Sequence, residues 1–175
     1  STTGIESSSN TASGGRSTAM GVNSTASGVY STAMGSGTTA SGSRSTAMGN
    51  STTASGNYST SMGDATTASG TDSTAMGDNT TASGISSTVM GVSTEAIGYA
   101  STAIGQYNVL NSGNTATSFN LTNTAFSIGN GTSAGARSDA FSVLFNGNTT
   151  VAGSYSNVLI HNTWQELTHI HLILI

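Results

Sequence analysis

Residues 24–35 read STASGVYSTAMG, and this stretch determines the fold because close variants of it recur along the chain. Glycine returns every seven residues, fourteen times in succession and without a slip. Alanine stands two places before the glycine in twelve of the fourteen heptads. A flexible linker has no reason to keep such a period, so the sequence indicates a repeat protein. The repeat glycines are Gly14, Gly21, Gly28, Gly35, Gly42, Gly49, Gly56, Gly63, Gly70, Gly77, Gly84, Gly91, Gly98 and Gly105.

The residue just before each glycine alternates, so the true repeat unit is 14 residues long. Serine and methionine take turns at this position, and the six methionines that occupy it are all the methionines in the chain. Fourteen heptads therefore make seven units. The apolar members of the series are Met20, Met34, Met48, Met62, Met76, Met90, Ile97 and Ile104.

The repeat predicts short strands rather than helices. A glycine in every heptad would cost a helix about 1 kcal/mol each time, whereas the alternation in S-T-A-M-G has the period of a strand. We expect glycine to end each strand and the two variable residues after it to complete a tight turn. Two strands and two turns per unit predict an all-β fold, a parallel β-solenoid with 14 residues per coil.

The composition excludes several classes of function. The 175 residues carry a net charge of −4 with only three basic residues, so no basic surface exists for a nucleic acid. There is no cysteine, which excludes a disulfide framework and thiol chemistry. No apolar run is long enough to cross a bilayer, so we expect no membrane insertion. No catalytic group of residues is evident, and we expect a non-enzymatic protein that needs no cofactor.

Strand alternation leaves two ways to place the methionines. If alanine and the Ser/Thr position point into the coil, the methionines form an outward apolar column, and such a stripe usually marks an interface. We predict this arrangement, with the six methionines, Ile97 and Ile104 as the core of a homotrimer. The alternative is a monomeric rod in which the methionines fill the interior of the coil.

The paired STAMG and STASG motifs resemble the head repeat of YadA-like trimeric autotransporter adhesins over residues 10–106. That family shares the 14-residue unit and motifs in which alanine, a hydrophobic residue and glycine follow one another. The resemblance implies a left-handed parallel β-roll that associates as a trimer. It also implies an extracellular, surface-displayed rod that binds an unknown host-cell receptor or glycan. Methionine here replaces the isoleucine or valine usual in the family.

The sequence after the repeats changes character. Residues 122–154 read TNTAFSIGNGTSAGARSDAFSVLFNGNTTVAGS and resemble modules of phage and viral tail fibres. Apolar runs at 125–128 and 141–145, separated by glycine-rich turns, predict a short intertwined β segment. We therefore divide the chain into a degenerate edge coil at 1–9, a β-roll repeat domain at 10–106 and a β-rich fibre or stem segment at 107–175. The rod would then stand on a cell surface or on a virion.

His169 and His171 form an H-x-H pair late in the sequence. On a strand both rings project from one face, and three chains would bring six imidazoles to one axis. Six imidazoles are enough for an octahedral transition-metal site. The alternative interpretation is a pair of ordinary strand histidines.

Three functions fit these features. The first is an adhesive or receptor-binding fibre segment, in which the variable pairs after each glycine, such as Val29 and Tyr30, contact another surface. The second is a purely structural spacer or filament subunit. The third is an ice-binding solenoid, because threonines repeated at the same position would form a regular ladder of hydroxyls on a flat sheet. These threonines are Thr25, Thr39, Thr53, Thr67 and Thr81.

Overall fold

The computed structural model describes residues 9–153, and these form two β-sheets without any helix. Residues up to 106 wind into seven coils, and each coil contains one strand of two residues and one strand of five. Successive coils stack by parallel pairing of equivalent strands. The predicted parallel β-solenoid with 14 residues per coil is therefore confirmed.

Each coil begins with its short strand and ends with its long strand. The short strands are β1 (Thr11–Ala12), β3 (Thr25–Ala26), β5 (Thr39–Ala40), β7 (Thr53–Ala54), β9 (Thr67–Ala68), β11 (Thr81–Ala82) and β13 (Glu95–Ala96). The long strands are β2 (Thr18–Val22), β4 (Thr32–Ser36), β6 (Thr46–Asn50), β8 (Thr60–Asp64), β10 (Thr74–Asp78), β12 (Thr88–Val92) and β14 (Thr102–Gln106). We call the two sheets they build the short-strand sheet and the long-strand sheet.

Register is uniform because every coil repeats the same backbone path. Thr25 pairs with Thr39 in the short-strand sheet, and Met34 pairs with Met48 in the long-strand sheet. Main-chain hydrogen bonds run from coil to coil, for example from the Thr25 amide to the Thr38 carbonyl at 2.8 Å. This pairing gives the small residues of the repeat an ordered backbone despite their limited apolar area.

The core is a thin layer of alanine between the two sheets. Ala26 of the short-strand sheet and Ala33 of the long-strand sheet are both fully buried, and the alanines at these positions in the later coils are buried as well. Ser61 interrupts the alanine column of the long-strand sheet, and its hydroxyl forms a 2.7 Å hydrogen bond with that of Thr66. The prediction that alanine and the Ser/Thr position point inward is confirmed.

The two corners of each coil differ. After the short strand, Gly28 opens a β-turn in which the Ser31 amide donates to the Gly28 carbonyl at 3.2 Å. After methionine, the glycine lies inside the long strand, and Gly35 has a φ of 131°. The chain bends only two residues later, at Gly37. The prediction that glycine ends each strand is therefore wrong for the glycines after methionine and Ile104, which are Gly21, Gly35, Gly49, Gly63, Gly77, Gly91 and Gly105.

Close stacking of the backbones explains the presence of glycine both in the turn after the short strand and inside the long strand. A Cβ added to Gly14 would lie 2.6 Å from the carbonyl carbon of Gly28 in the next coil. A Cβ added to Gly49 would meet the carbonyl group of Gly63 in the same way. The seven-residue glycine period is thus a consequence of coil-to-coil contact as well as of turn geometry.

Asparagine occupies the Ser/Thr column in the first described coil and directly after the last one. Asn10 and Asn108 occupy the position that holds a buried serine or threonine in the six coils between them. The Ser24 amide donates to Asn10 Oδ1 at 2.8 Å, and the Glu95 amide donates to Asn108 Oδ1 at 2.8 Å. Asn108 Nδ2 also donates to the Glu95 carbonyl, so this side chain satisfies backbone groups that a further coil would otherwise pair.

The segment after the repeats extends the long-strand sheet. It contains β15 (Thr124–Asn130), β16 (Asp139–Leu144) and β17 (Thr149–Val151). Strand β15 pairs in parallel with β14, whereas β16 and β17 add antiparallel strands. The apolar run predicted at 125–128 lies within β15, and β16 contains all but the last residue of the run at 141–145. The long-strand sheet therefore has ten strands.

Some predictions fall on residues outside the described part of the chain. The edge coil predicted at 1–9 is described only at Ser9, and the stem segment only as far as residue 153. Within 9–153, no helix is present that is long and apolar enough to cross a membrane.

Candidate functional site

The outer face of the long-strand sheet carries a continuous apolar column. Strand alternation turns Thr32, Met34 and Ser36 outward while Ala33 faces the core. The six methionines pair in register from coil to coil and are half-buried, with Met90 the most open at 40% exposure. None of the six is fully enclosed by its own coil. We call this set, with its extensions, the methionine column.

Only one of the two predicted isoleucines belongs to the methionine column. Ile104 pairs in register with Met90. Ile97 instead follows β13 and occupies the position that serine holds after the other short strands. Its inclusion in the column is therefore a wrong prediction, because Ile97 lies half a coil away from Met90 along the chain.

The methionine column continues beyond the repeats, which the sequence did not lead us to expect. Ile128 of β15 pairs with Ile104, Phe141 of β16 pairs with Ile128, and Val151 of β17 pairs with Phe141. Apolar residues thus occupy one register position in all ten strands. A sequence signal existed, since S-I-G at 127–129 repeats the A-I-G pattern at 103–105.

The outer face of the short-strand sheet is polar. Its threonines form an unbroken ladder from Thr11 to Thr81, and Glu95 occupies the next position. The threonines from Thr25 onward are half-buried, whereas the serines beside them are mostly exposed. The two faces of the rod therefore differ strongly in polarity.

The corner after the short strand carries a stack of aromatic and basic side chains. Arg16, Tyr30, Arg44 and Tyr58 occupy the same position in four successive coils. The Arg44 guanidinium lies 5.3 Å from the Tyr30 ring centre and 5.4 Å from that of Tyr58. Arg16 stacks on Tyr30 at 5.4 Å and donates a hydrogen bond to its phenolic oxygen. We call these four residues the arginine–tyrosine ladder.

Two of the long strands end in aspartate. Asn50, Asp64 and Asp78 follow one another in register, and Asn50 Nδ2 donates to Asp64 Oδ1 at 2.7 Å. Among residues 9–153, no group of three or more histidine, aspartate or glutamate side chains is placed to hold a metal ion. His169 and His171 lie outside the described residues, so a metal ion at that pair stays a prediction.

A polar junction ties the last coil to the strands that follow it. Arg137 Nη2 lies 2.5 Å from Glu95 Oε1, and Arg137 Nη1 also donates to the carbonyls of Ser93 and Asn108. The Val109 amide donates to Asp139 Oδ1 at 2.9 Å. Burial raises the pKa of Asp139, although the hydrogen bond from Val109 partly offsets this rise. These contacts position β16 on the end of the solenoid and contain no catalytic arrangement.

Comparison with known proteins agrees with the register of the coils. A family model described as the YadA head domain repeat matches residues 12–38, 40–66, 54–80, 68–94 and 82–108, which together cover more than half of the chain. No curated protein matches the sequence. YadA heads are adhesin-type structural modules that form homotrimers and are exposed outside the cell. With its coils, glycine columns and apolar outer column, the chain belongs to the YadA head domain family.

Proposed function

We propose that this chain is a segment of a homotrimeric, non-enzymatic adhesive rod displayed on the surface of a cell or of a viral particle. The observation that carries the proposal is the methionine column, which runs in register across the repeat strands and on into β15, β16 and β17. A monomer would leave this stripe in water at about 25 cal/mol for each Å² of apolar area. Association of copies through the long-strand sheet removes that cost.

Three-fold association suits the residues of the column. A YadA head forms homotrimers, and three long-strand sheets around one axis would bring three methionines together at each coil. Methionine has a flexible, unbranched side chain that fills irregular spaces well. The thin alanine layer inside each coil buries little area, so the subunit interface supplies the larger apolar core.

Association through one sheet leaves the corners of the coil for contact with other molecules. Most of the variable residues lie at the two corners, and Tyr30 and Tyr58 are 44% and 53% exposed. Variation at exposed positions on a fixed scaffold is typical of binding surfaces. Adhesion through these corners is the function that the family and the geometry support best.

Two measurements, made one after the other, test the proposal. Light scattering at micromolar concentration should give three times the mass of the chain, and a stable monomer would contradict the association. Binding of the labelled trimer to cultured cells and to an array of immobilised glycans then tests adhesion. A trimer that binds neither surface would instead support the structural spacer.

The ice-binding alternative has one observation in its favour. Thr25, Thr39, Thr53, Thr67 and Thr81 stand in perfect register on the short-strand sheet. Those threonines are half-buried, however, and the ladder ends at Glu95. Measured thermal hysteresis of freezing would support this function over adhesion, and its absence would remove it.

A further inference from the structure

We infer that the arginine–tyrosine ladder is a binding site for an anionic polysaccharide, which rests on the proposed adhesive function and names the ligand class. Arg16 and Arg44 are two of the three basic residues in the chain. The third, Arg137, forms the only ion pair within residues 9–153. Neither ladder arginine therefore has a carboxylate partner in the described part of the chain, although the protein as a whole is acidic.

The ladder is held in place before any ligand arrives. Arg44 is stacked between the rings of Tyr30 and Tyr58, and its Nη1 donates to the Tyr58 hydroxyl at 3.0 Å. One N–H at the edge of each guanidinium is used by a tyrosine hydroxyl, and both arginines are exposed at the corner. A guanidinium has five N–H donors, and most of those on Arg16 and Arg44 have no protein acceptor. Such edges bind carboxylate and sulfate groups in bidentate fashion.

The four ladder residues have a backbone conformation that bulky side chains disfavour. Arg16, Tyr30, Arg44 and Tyr58 all have φ between 55° and 60°, in the left-handed region. Asparagine, aspartate or glycine suits this conformation better than bulky side chains do. The corner after the long strand follows that rule in part, with Asn23, Gly37 and Asn79 at its left-handed positions. The left-handed φ itself recurs at the corners throughout the solenoid, so the feature particular to the ladder is the bulk of its side chains.

The spacing and surroundings favour a sparsely charged sugar chain. Coils stack about 4.8 Å apart, so the two guanidinium groups lie about 10 Å from each other. Nucleic-acid binding commonly involves many more phosphate contacts than two arginines supply. Ser43 and Asn57 beside the ladder are hydroxyl and amide groups suited to sugar hydroxyls. Asp72 occupies the same corner position one coil after Tyr58. Its carboxylate would repel a ligand with acidic groups on every unit.

The test uses the full-length chain and three probes in calorimetry at low and moderate salt: hyaluronan oligosaccharides, dextran of similar length and poly-glutamate. Hyaluronan should bind and dextran should not. The Arg16→Gln/Arg44→Gln variant should lose about tenfold or more in affinity for hyaluronan, because it removes the charge-assisted hydrogen bonds.

The matched control is Asn23→Asp/Ser51→Asp, which changes the net charge equally at exposed left-handed positions of the opposite corner. It should keep most of the affinity, and Asp72→Asn should raise it. Equal losses in the two double variants would overturn the inference, as would equal or tighter binding of poly-glutamate. Dissociation of the arginine variant into monomers would overturn it too, by making the ladder a subunit contact. If the arginine variant still adhered to cells, the ladder would not be the binding site, while the proposed adhesive function would stand.

Discussion

At the scale of single residues, this fold depends on positions where no side chain fits. Apart from Gly98, the repeat glycines touch the backbone of the next coil or of β15, so the space for a Cβ is already filled. Serine after the first corner is almost as constrained, because its hydroxyl donates back to the turn carbonyl, as Ser45 Oγ does to Gly42 at 2.7 Å. Small residues are therefore specified here by contact geometry, and their low apolar content is a consequence.

Replacing Gly49 with valine should destabilise the rod far more than replacing its neighbour Asn50. Gly49 has a φ of 124°, and a side chain there would strike Gly63. Strain of this kind costs about 1–3 kcal/mol before any clash is counted. Asn50→Val should change the free energy of unfolding by less than about 1 kcal/mol, since Val22 and Val92 already occupy the same register position. Thermal melts that gave the two variants equal stability would contradict this account.

At the scale of strands, polar side chains close the downstream end of the short-strand sheet. The side-chain amide of Asn108 pairs with the backbone N–H and C=O of Glu95, where a further short strand would otherwise pair. On the downstream side, Arg137 and Asp139 then attach β16 to the last coil. These contacts let one sheet pass from parallel pairing at β14 and β15 to antiparallel pairing at β16.

The junction should make stability depend on pH through Asp139. Its pKa in the folded protein is raised above 3.8 by burial, so the folded state holds a proton more readily than the unfolded state. Between these two pKa values the free energy of unfolding should fall as the pH rises. Asp139→Asn keeps an acceptor for the Val109 amide but removes the titration. Melts across mildly acidic pH should show this decline in the wild type relative to the variant, and parallel curves would contradict it.

At the scale of the whole molecule, the rod has one apolar side and one polar side. The difference arises from a single heptad position, just before glycine, which holds methionine in the long strand and serine after the short strand. Because register is uniform, the same difference recurs in every coil and forms a stripe along the rod. We propose that this asymmetry decides which sheet packs against copies of the chain and which sheet faces solvent.

Replacing Met34, Met48 and Met62 together with aspartate should dissociate the trimer or prevent folding. Three buried carboxylates per chain would face their copies without partners, and unpaired buried charge is strongly unfavourable. The matched replacement of Ser27, Ser41 and Ser55 with aspartate places the charges on the exposed polar face and should leave the mass unchanged. Molar mass by light scattering distinguishes the two variants. Equal masses for both would show that the methionine column is not the interface.

The sequence predicted most of the fold because its period is strict. Coil length, strand positions and the inward alanines all follow from the 14-residue unit. The period could not reveal that the two corners differ, because a glycine comes before each corner at the same position of the heptad. It also grouped Ile97 with Met90, although successive heptads lie on opposite sheets. Residues 107–123 have no period, so the continuation of the methionine column at Ile128 depended on a register that only three-dimensional pairing supplies.

The uniform register has a consequence for how such rods change over generations. Because every coil joins its neighbours through the same backbone atoms, removal of one 14-residue unit brings together two coils that already match. Duplication of a unit in the gene would lengthen the rod by about 4.8 Å and leave every contact type unchanged. An insertion of seven residues would put serine where methionine belongs, and an insertion that is not a multiple of seven would also break the glycine period. The reach of the rod can therefore evolve in whole steps, independently of the residues displayed at its corners.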